Sequence, residues 1–173
     1  MTVRPAIFTI GHSNHSIDRF IELLRLAGVT AVADIRSTPF SRWVPHFSRP
    51  ALERHLTAAR LDYMFLGEQL GGRPRDKSVW RDGRVDYGLI AATASFQHGL
   101  DRVQAEASRR RLALMCAERD PLDCHRFLLV GRQLAERGAN IRHVLADGTL
   151  EDHGATERRE PVTPGVPDRD LFA

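Results

Sequence analysis

Five short apolar runs punctuate this chain, and the stretches between them carry apolar residues at helical spacing. Residues 7–10, 29–33, 61–66, 112–115 and 141–145 read as strands. Between the first two, Ser16 is placed to cap a helix, Phe20, Leu23, Leu24 and Ala27 recur on one face, and Gly28 ends it. Ser48 is placed to cap a helix carrying Leu52, Leu56 and Ala59, and short helices are expected over 87–94 and 100–108. Asp123 is placed to cap a helix in which Phe127, Val130, Gly131 and Leu134 share a face and which Gly138 closes. Strands alternating with helices require crossover connections and hence a parallel sheet. The expected fold is a single α/β domain over residues 1–150, Rossmann-like and three-layered, with a mostly parallel sheet of about five strands. After Leu150 the pattern fades, and 151–173 is expected to be a loosely ordered extension.

Open parallel sheets bind ligands beyond the carboxyl ends of their strands. That rule sorts the polar residues. Gly11, His12 and Ser13 follow the first strand, and Asp34 and Arg36 the second. Gly71, Gly72 and Arg73 lie beyond the third, and Cys116, Glu118, Cys124, His125 and Arg126 beyond the fourth. The densest of these segments is 116–126, with both cysteines of the protein at or near its ends. A thiol, an imidazole and a guanidinium in succession at a helix start favour an ionised sulfur, because amides and cations stabilise a thiolate. Cys124 with His125 or His12 would do nucleophilic or acid–base work, supported by Glu118 and Asp34. Arg36, Arg42, Arg73 and Arg126 would hold an anion, and Gly11, Ser13, Gly72 and Cys116 would line the pocket. The bland alternatives are a buried structural cysteine, an Asp34–Arg36 ion pair and an ordinary glycine turn.

Spacing removes some chemistries. A cysteine-phosphatase loop needs arginine six positions after cysteine, and both cysteines lead to Leu122 and Val130 there. The cysteines are not a two-apart thioredoxin pair, no full glycine fingerprint follows the first strand, and no Walker lysine is present. Seven residues separate the cysteines, a wider gap than zinc knuckles use, so no metal or other cofactor is expected; zinc held by Cys116, Cys124, His125 and His12 is the alternative. Trp43, His46 and Phe47 interleave with Arg42 and Arg49, a pattern that can stack bases but more often pins a loop to the core.

Two cysteines are too few for a disulfide framework, and no apolar stretch is long enough to span a bilayer. No secretory signal precedes the first strand, so a cytoplasmic protein is expected. The net charge is +3, and Lys77 is the only lysine among 25 basic residues. That excess reads as compositional bias, so only arginines beside other site residues count as ligands.

Thr9–Ser13, Asp34-Ile35-Arg36 with Pro39, Ser41 and Arg42, then 70–74, and finally Cys116-Ala117-Glu118 with Cys124-His125-Arg126 together resemble the prokaryotic family called domain of unknown function 488. The resemblance covers roughly residues 8–145. It implies an α/β fold and a shared pocket, and it assigns no activity. The expected function is an enzyme acting on a phosphate-bearing substrate, a small anion, nucleotide or nucleic acid. A non-catalytic nucleotide or nucleic-acid binding module, and a metal-binding or thiol-redox protein using Cys116 and Cys124, are the alternatives.

Overall fold

A computed structural model describes residues 5–159. The strands are β1 (Ala6–Gly11), β2 (Ala31–Asp34), β3 (Asp62–Phe65), β4 (Trp80–Arg81), β5 (Arg84–Val85), β6 (Leu112–Cys116), β7 (Asn140–Val144) and β8 (Leu150–Asp152). The helices are α1 (Ile17–Leu26), α2 (Arg49–Ala58), α3 (Gly67–Leu70), α4 (Tyr87–Ala91), α5 (Ala94–Ala107), α6 (Arg132–Glu136) and α7 (His153–Arg159). The main sheet has the order β3-β2-β6-β1-β7-β8. Its first five strands are parallel, and β8 runs antiparallel to β7. The fold is therefore the expected α/β domain, with a sixth strand whose three residues carry too little apolar content to stand out.

Alternation along β6 shows how the layers close. Leu112, Leu114 and Cys116 face one core, with Leu100 and Val103 of α5 and Leu134 of α6. Ala113 and Met115 face the other, with Phe20 and Leu24 of α1 and Leu52 and Leu56 of α2. Helices thus cover both faces. The connection after β1 leaves to one face and that after β6 to the other, while the two strands are neighbours. Their carboxyl ends form the crevice where such sheets bind ligands.

Local chemistry differs from expectation in several places. The Ser16 hydroxyl caps α1 through Arg19 N–H at 3.2 Å. Ser48 makes no side-chain cap on α2 and instead bonds Ser41, its hydroxyl donating to the Ser41 carbonyl and accepting from the Ser41 amide. Asp120, not Asp123, caps the turn Pro121–Asp123 by accepting from Leu122 N–H. The expected helix after the cysteines begins as a π-helical run, Arg126–Gly131, before tightening into α6. The long polar segment after β3 contains α3 and the β4–β5 hairpin. Residues 151–159, expected to be loosely ordered, complete β8 and form α7, which buries His153 and Thr156. The rest of that extension lies outside the described residues. Phe47 is buried as a loop anchor, whereas Trp43, expected beside it, is 68% exposed. Among the described residues, no helix is long and apolar enough to cross a membrane.

Candidate functional site

The centre of the site is a nest of four side chains at the ends of β6 and the turn that follows. Cys116 is the last residue of β6, its sulfur pointing into the core shared with α5 and α6. The chain then turns over Gly11, the last residue of β1. A Cβ on Gly11 would lie 1.7 Å from the Glu118 carbonyl oxygen, so only glycine lets this turn approach. The turn returns as Cys124 and His125, which enter the π-helical run.

The donors converge. Cys116 Sγ–H donates to Glu118 Oε2 at 2.9 Å. His125 Nδ1 lies 3.5 Å from Cys116 Sγ and 3.8 Å from Cys124 Sγ. His125 Nε2–H donates to the Ile35 carbonyl at 2.9 Å, which holds a proton on Nε2 and turns Nδ1 toward the sulfurs. Arg126 N–H donates to Cys124 Sγ at 3.3 Å, so this sulfur caps the helix start. Cys116, Cys124 and His125 are buried; Glu118 is only partly so.

Electrostatics separate the two thiols. Burial, with the neighbouring Cys124 and Glu118 charges, pushes the Cys116 thiol well up. Burial also works against ionised Cys124, but the neighbouring Cys116 thiol, the Arg126 charge and His125 outweigh it and hold this thiol well below its usual range. His125 is raised in turn, the Cys124 charge overcoming its burial. Burial raises Glu118. The two thiols are thus pushed in opposite directions, Cys124 toward the thiolate and Cys116 toward the neutral thiol, with His125 favoured in its charged form.

A second polar group stands one strand away and shares the Ile35 backbone with the first. Asp34, at the end of β2, takes Arg36 Nε–H at 2.9 Å and Nη2–H at 2.7 Å, and the Tyr63 hydroxyl at 2.9 Å. Arg36 also donates to the Phe47 carbonyl. His12 stacks on Phe47, donates from Nδ1 to the Ser13 carbonyl at 2.8 Å, and accepts from Arg36 Nη1 at Nε2. Burial and the Arg36 charge lower its pKa to about 4. Asp34 and Arg36 therefore form the ion pair that was the bland alternative, with His12 neutral beside it.

The remaining predicted residues divide. Arg126 is fully buried and donates to the Glu118 and Arg119 carbonyls at 2.7 and 3.1 Å, so it clasps the turn. Ser13 holds a left-handed backbone at φ 47° and donates to Asn14. Gly72 lies flat on the His125 ring, where a Cβ would sit 2.8 Å from Cγ. Arg73, on the same glycine turn, is exposed and tied through its backbone to the Ser37 hydroxyl. Arg42 is exposed, between exposed Phe40 and Trp43.

The structure adds three residues that the sequence pattern does not single out. Tyr63 holds Asp34. Tyr87 of α4 is shifted upward by burial and by the Cys124, Cys116 and Glu118 charges, which places its ring in the field of the nest. His143, bonded to Thr9 Oγ1 at 2.7 Å and His153 Nδ1 at 3.1 Å, forms a separate buried polar chain. None lies in a run with other polar site residues, so only spatial proximity reveals them.

A family model described as domain of unknown function DUF488 matches residues 16–132, a span that contains the whole nest. No curated protein and no solved structure matches the chain.

Proposed function

Because the chain belongs to the family described as domain of unknown function DUF488, its activity has to be read from its own residues, and we propose that it is an enzyme acting on a nucleotide or unpaired nucleic-acid strand. The observation that carries this reading is the convergence of Cys116, Glu118, Cys124 and His125 in the crevice between β1 and β6. A core needs no such set, since burying polar and ionisable groups costs free energy, and clusters of them concentrate at functional sites.

The rim supports the substrate class. The loop after Arg36 exposes Phe40 and Trp43 to 67% and 68%, with exposed Arg42 between them. Its first residue, Ser37, contacts the glycine turn that covers His125. Exposed rings offer stacking faces to bases, and arginine offers charge to phosphate. Arg36 and Arg126 have internal partners and serve as scaffold, so phosphate contact falls to Arg42 and the rim.

The test is fluorescence anisotropy with a labelled single-stranded oligonucleotide, followed across a salt titration. The logarithm of affinity is expected to fall linearly with that of salt, by about 0.7 per neutralised phosphate. Trp43→Ala is expected to weaken binding by about 1–3 kcal/mol. Cys124→Ala is expected to bind normally and lose turnover, read by mass spectrometry of the incubated strand. Absent binding, or binding indifferent to both salt and Trp43, overturns this reading.

A further inference from the structure

We propose that Cys116 Sγ, Cys124 Sγ and His125 Nδ1 bind one divalent ion of the zinc class, with the Glu118 carboxylate as its fourth and exchangeable ligand. For its use, this inference rests on the enzymatic reading above. For its existence it stands on geometry.

The three ligand atoms lie within 4.8 Å of one another. A tetrahedral ion with metal–sulfur near 2.3 Å and metal–nitrogen near 2.0 Å sets its sulfur and nitrogen donors roughly 3.5 Å apart. The two sulfurs stand 3.5 and 3.8 Å from His125 Nδ1. The imidazole is already turned for the task. Its far nitrogen donates to the Ile35 carbonyl, the outer bond that fixes the tautomer of metal-bound histidines. Two thiolates and an imidazole favour a borderline-soft cation over magnesium or calcium.

Charge supplies an independent argument. Arg126 is fully buried, and among the described residues it has no carboxylate partner; its guanidinium meets two carbonyls, and Nε meets nothing. A buried cation needs a counter-charge. Two thiolates and one carboxylate around a divalent ion leave a net charge of −1, which Arg126 balances. Binding releases two protons to solvent, one for each thiolate formed, because the ligands must be deprotonated to hold the ion.

The wide cysteine spacing does not oppose such a site. A zinc knuckle takes both cysteines from one tight turn, whereas here a strand end supplies one and a helix start the other. Glu118 is the exchangeable position because it alone of the four opens to solvent, the arrangement of catalytic rather than structural zinc.

The experiment is elemental analysis of the full chain purified without chelator, together with anaerobic cobalt titration. One ion per chain is expected, with the thiolate charge-transfer and strong d–d bands of tetrahedral cobalt. Cys124→Ser and His125→Gln are expected to cost more than the roughly 10–100-fold loss that follows removal of an outer-shell partner. Glu118→Gln is expected to retain cobalt with an altered spectrum, and Arg42→Ala to retain it unchanged. A featureless cobalt titration of the unmodified protein, or a Cys116–Cys124 disulfide that forms with no ion bound, overturns the proposal whatever the variants do. Failure here with salt-sensitive strand binding intact leaves the substrate reading standing. Full metal with no strand binding overturns only that reading.

Discussion

Arg36 is a buried cation whose fixed charge is met by one residue. Asp34 engages one edge of its guanidinium with both carboxylate oxygens, and both side chains are almost wholly buried. Removing one member of such a pair costs more than the pair contributes, because the survivor keeps its charge. Asp34→Asn is therefore expected to destabilise the protein by about 3–5 kcal/mol, measured as the shift of its denaturant midpoint at constant slope. At this scale the sequence displayed residue types and concealed their partners. Cys124-His125-Arg126 was visible as a run, and its position at a helix start was legible. That Arg126 turns back to two carbonyls was not, because the acceptors are backbone atoms that any residue could supply. Gly11 reads in the sequence as an opening for a ligand, but the chain's own backbone at Glu118 occupies that space. Trp43 and Phe47 share a composition and a loop, yet only packing decides which of them faces water.

The last helix of the described residues shows how an element is held by polar contacts. α7 docks through His153, whose Nδ1 lies 3.1 Å from His143 Nε2, and through Thr156, whose hydroxyl donates to Glu151 at 2.7 Å. Arg159 adds contacts to Glu151 and, across a gap in sequence, to Asp120 beside the nest. His153→Ala leaves a buried ring nitrogen of His143 without its partner. The expected cost is about 1–3 kcal/mol, and hydrogen exchange should speed in 153–159 before it does in β6. Elements built on apolar periodicity, such as β6 and α1, were legible because each buries a face. Those built on polar contacts, α7 and β8, were not, since charge runs look alike in ordered and solvated chain. The π-helical run was equally hidden, because its sequence satisfies an ordinary helical pattern.

The molecule as a whole should be acid-sensitive. Burial, aided by the Arg126 charge, lowers His143 to about 3, and burial with the Arg36 charge lowers His12 to about 4. Both take up protons near 6.5 when unfolded, so below that value the unfolded chain binds more protons than the folded one. The stabilisation is complete above pH 6.5 and is lost as pH falls toward 4 and then 3. Denaturant titrations at pH 7 and 5 should show a loss on the order of 2 kcal/mol per histidine, and His143→Gln should flatten the dependence. The fold was legible at this scale because five apolar runs leave one sensible architecture. The crevice was legible too, because the rule for parallel sheets locates it without side chains.

The nest has one more property. Its four donors all lie between Cys116 and His125, within a single strand-to-helix connection, while the carbonyl that aims the imidazole comes from Ile35 on the neighbouring strand. The donors are thus portable and their aim is not. A grafted copy of this connection would carry every donor atom into a new scaffold, and it would keep their geometry only where an adjacent parallel strand ends at the same register.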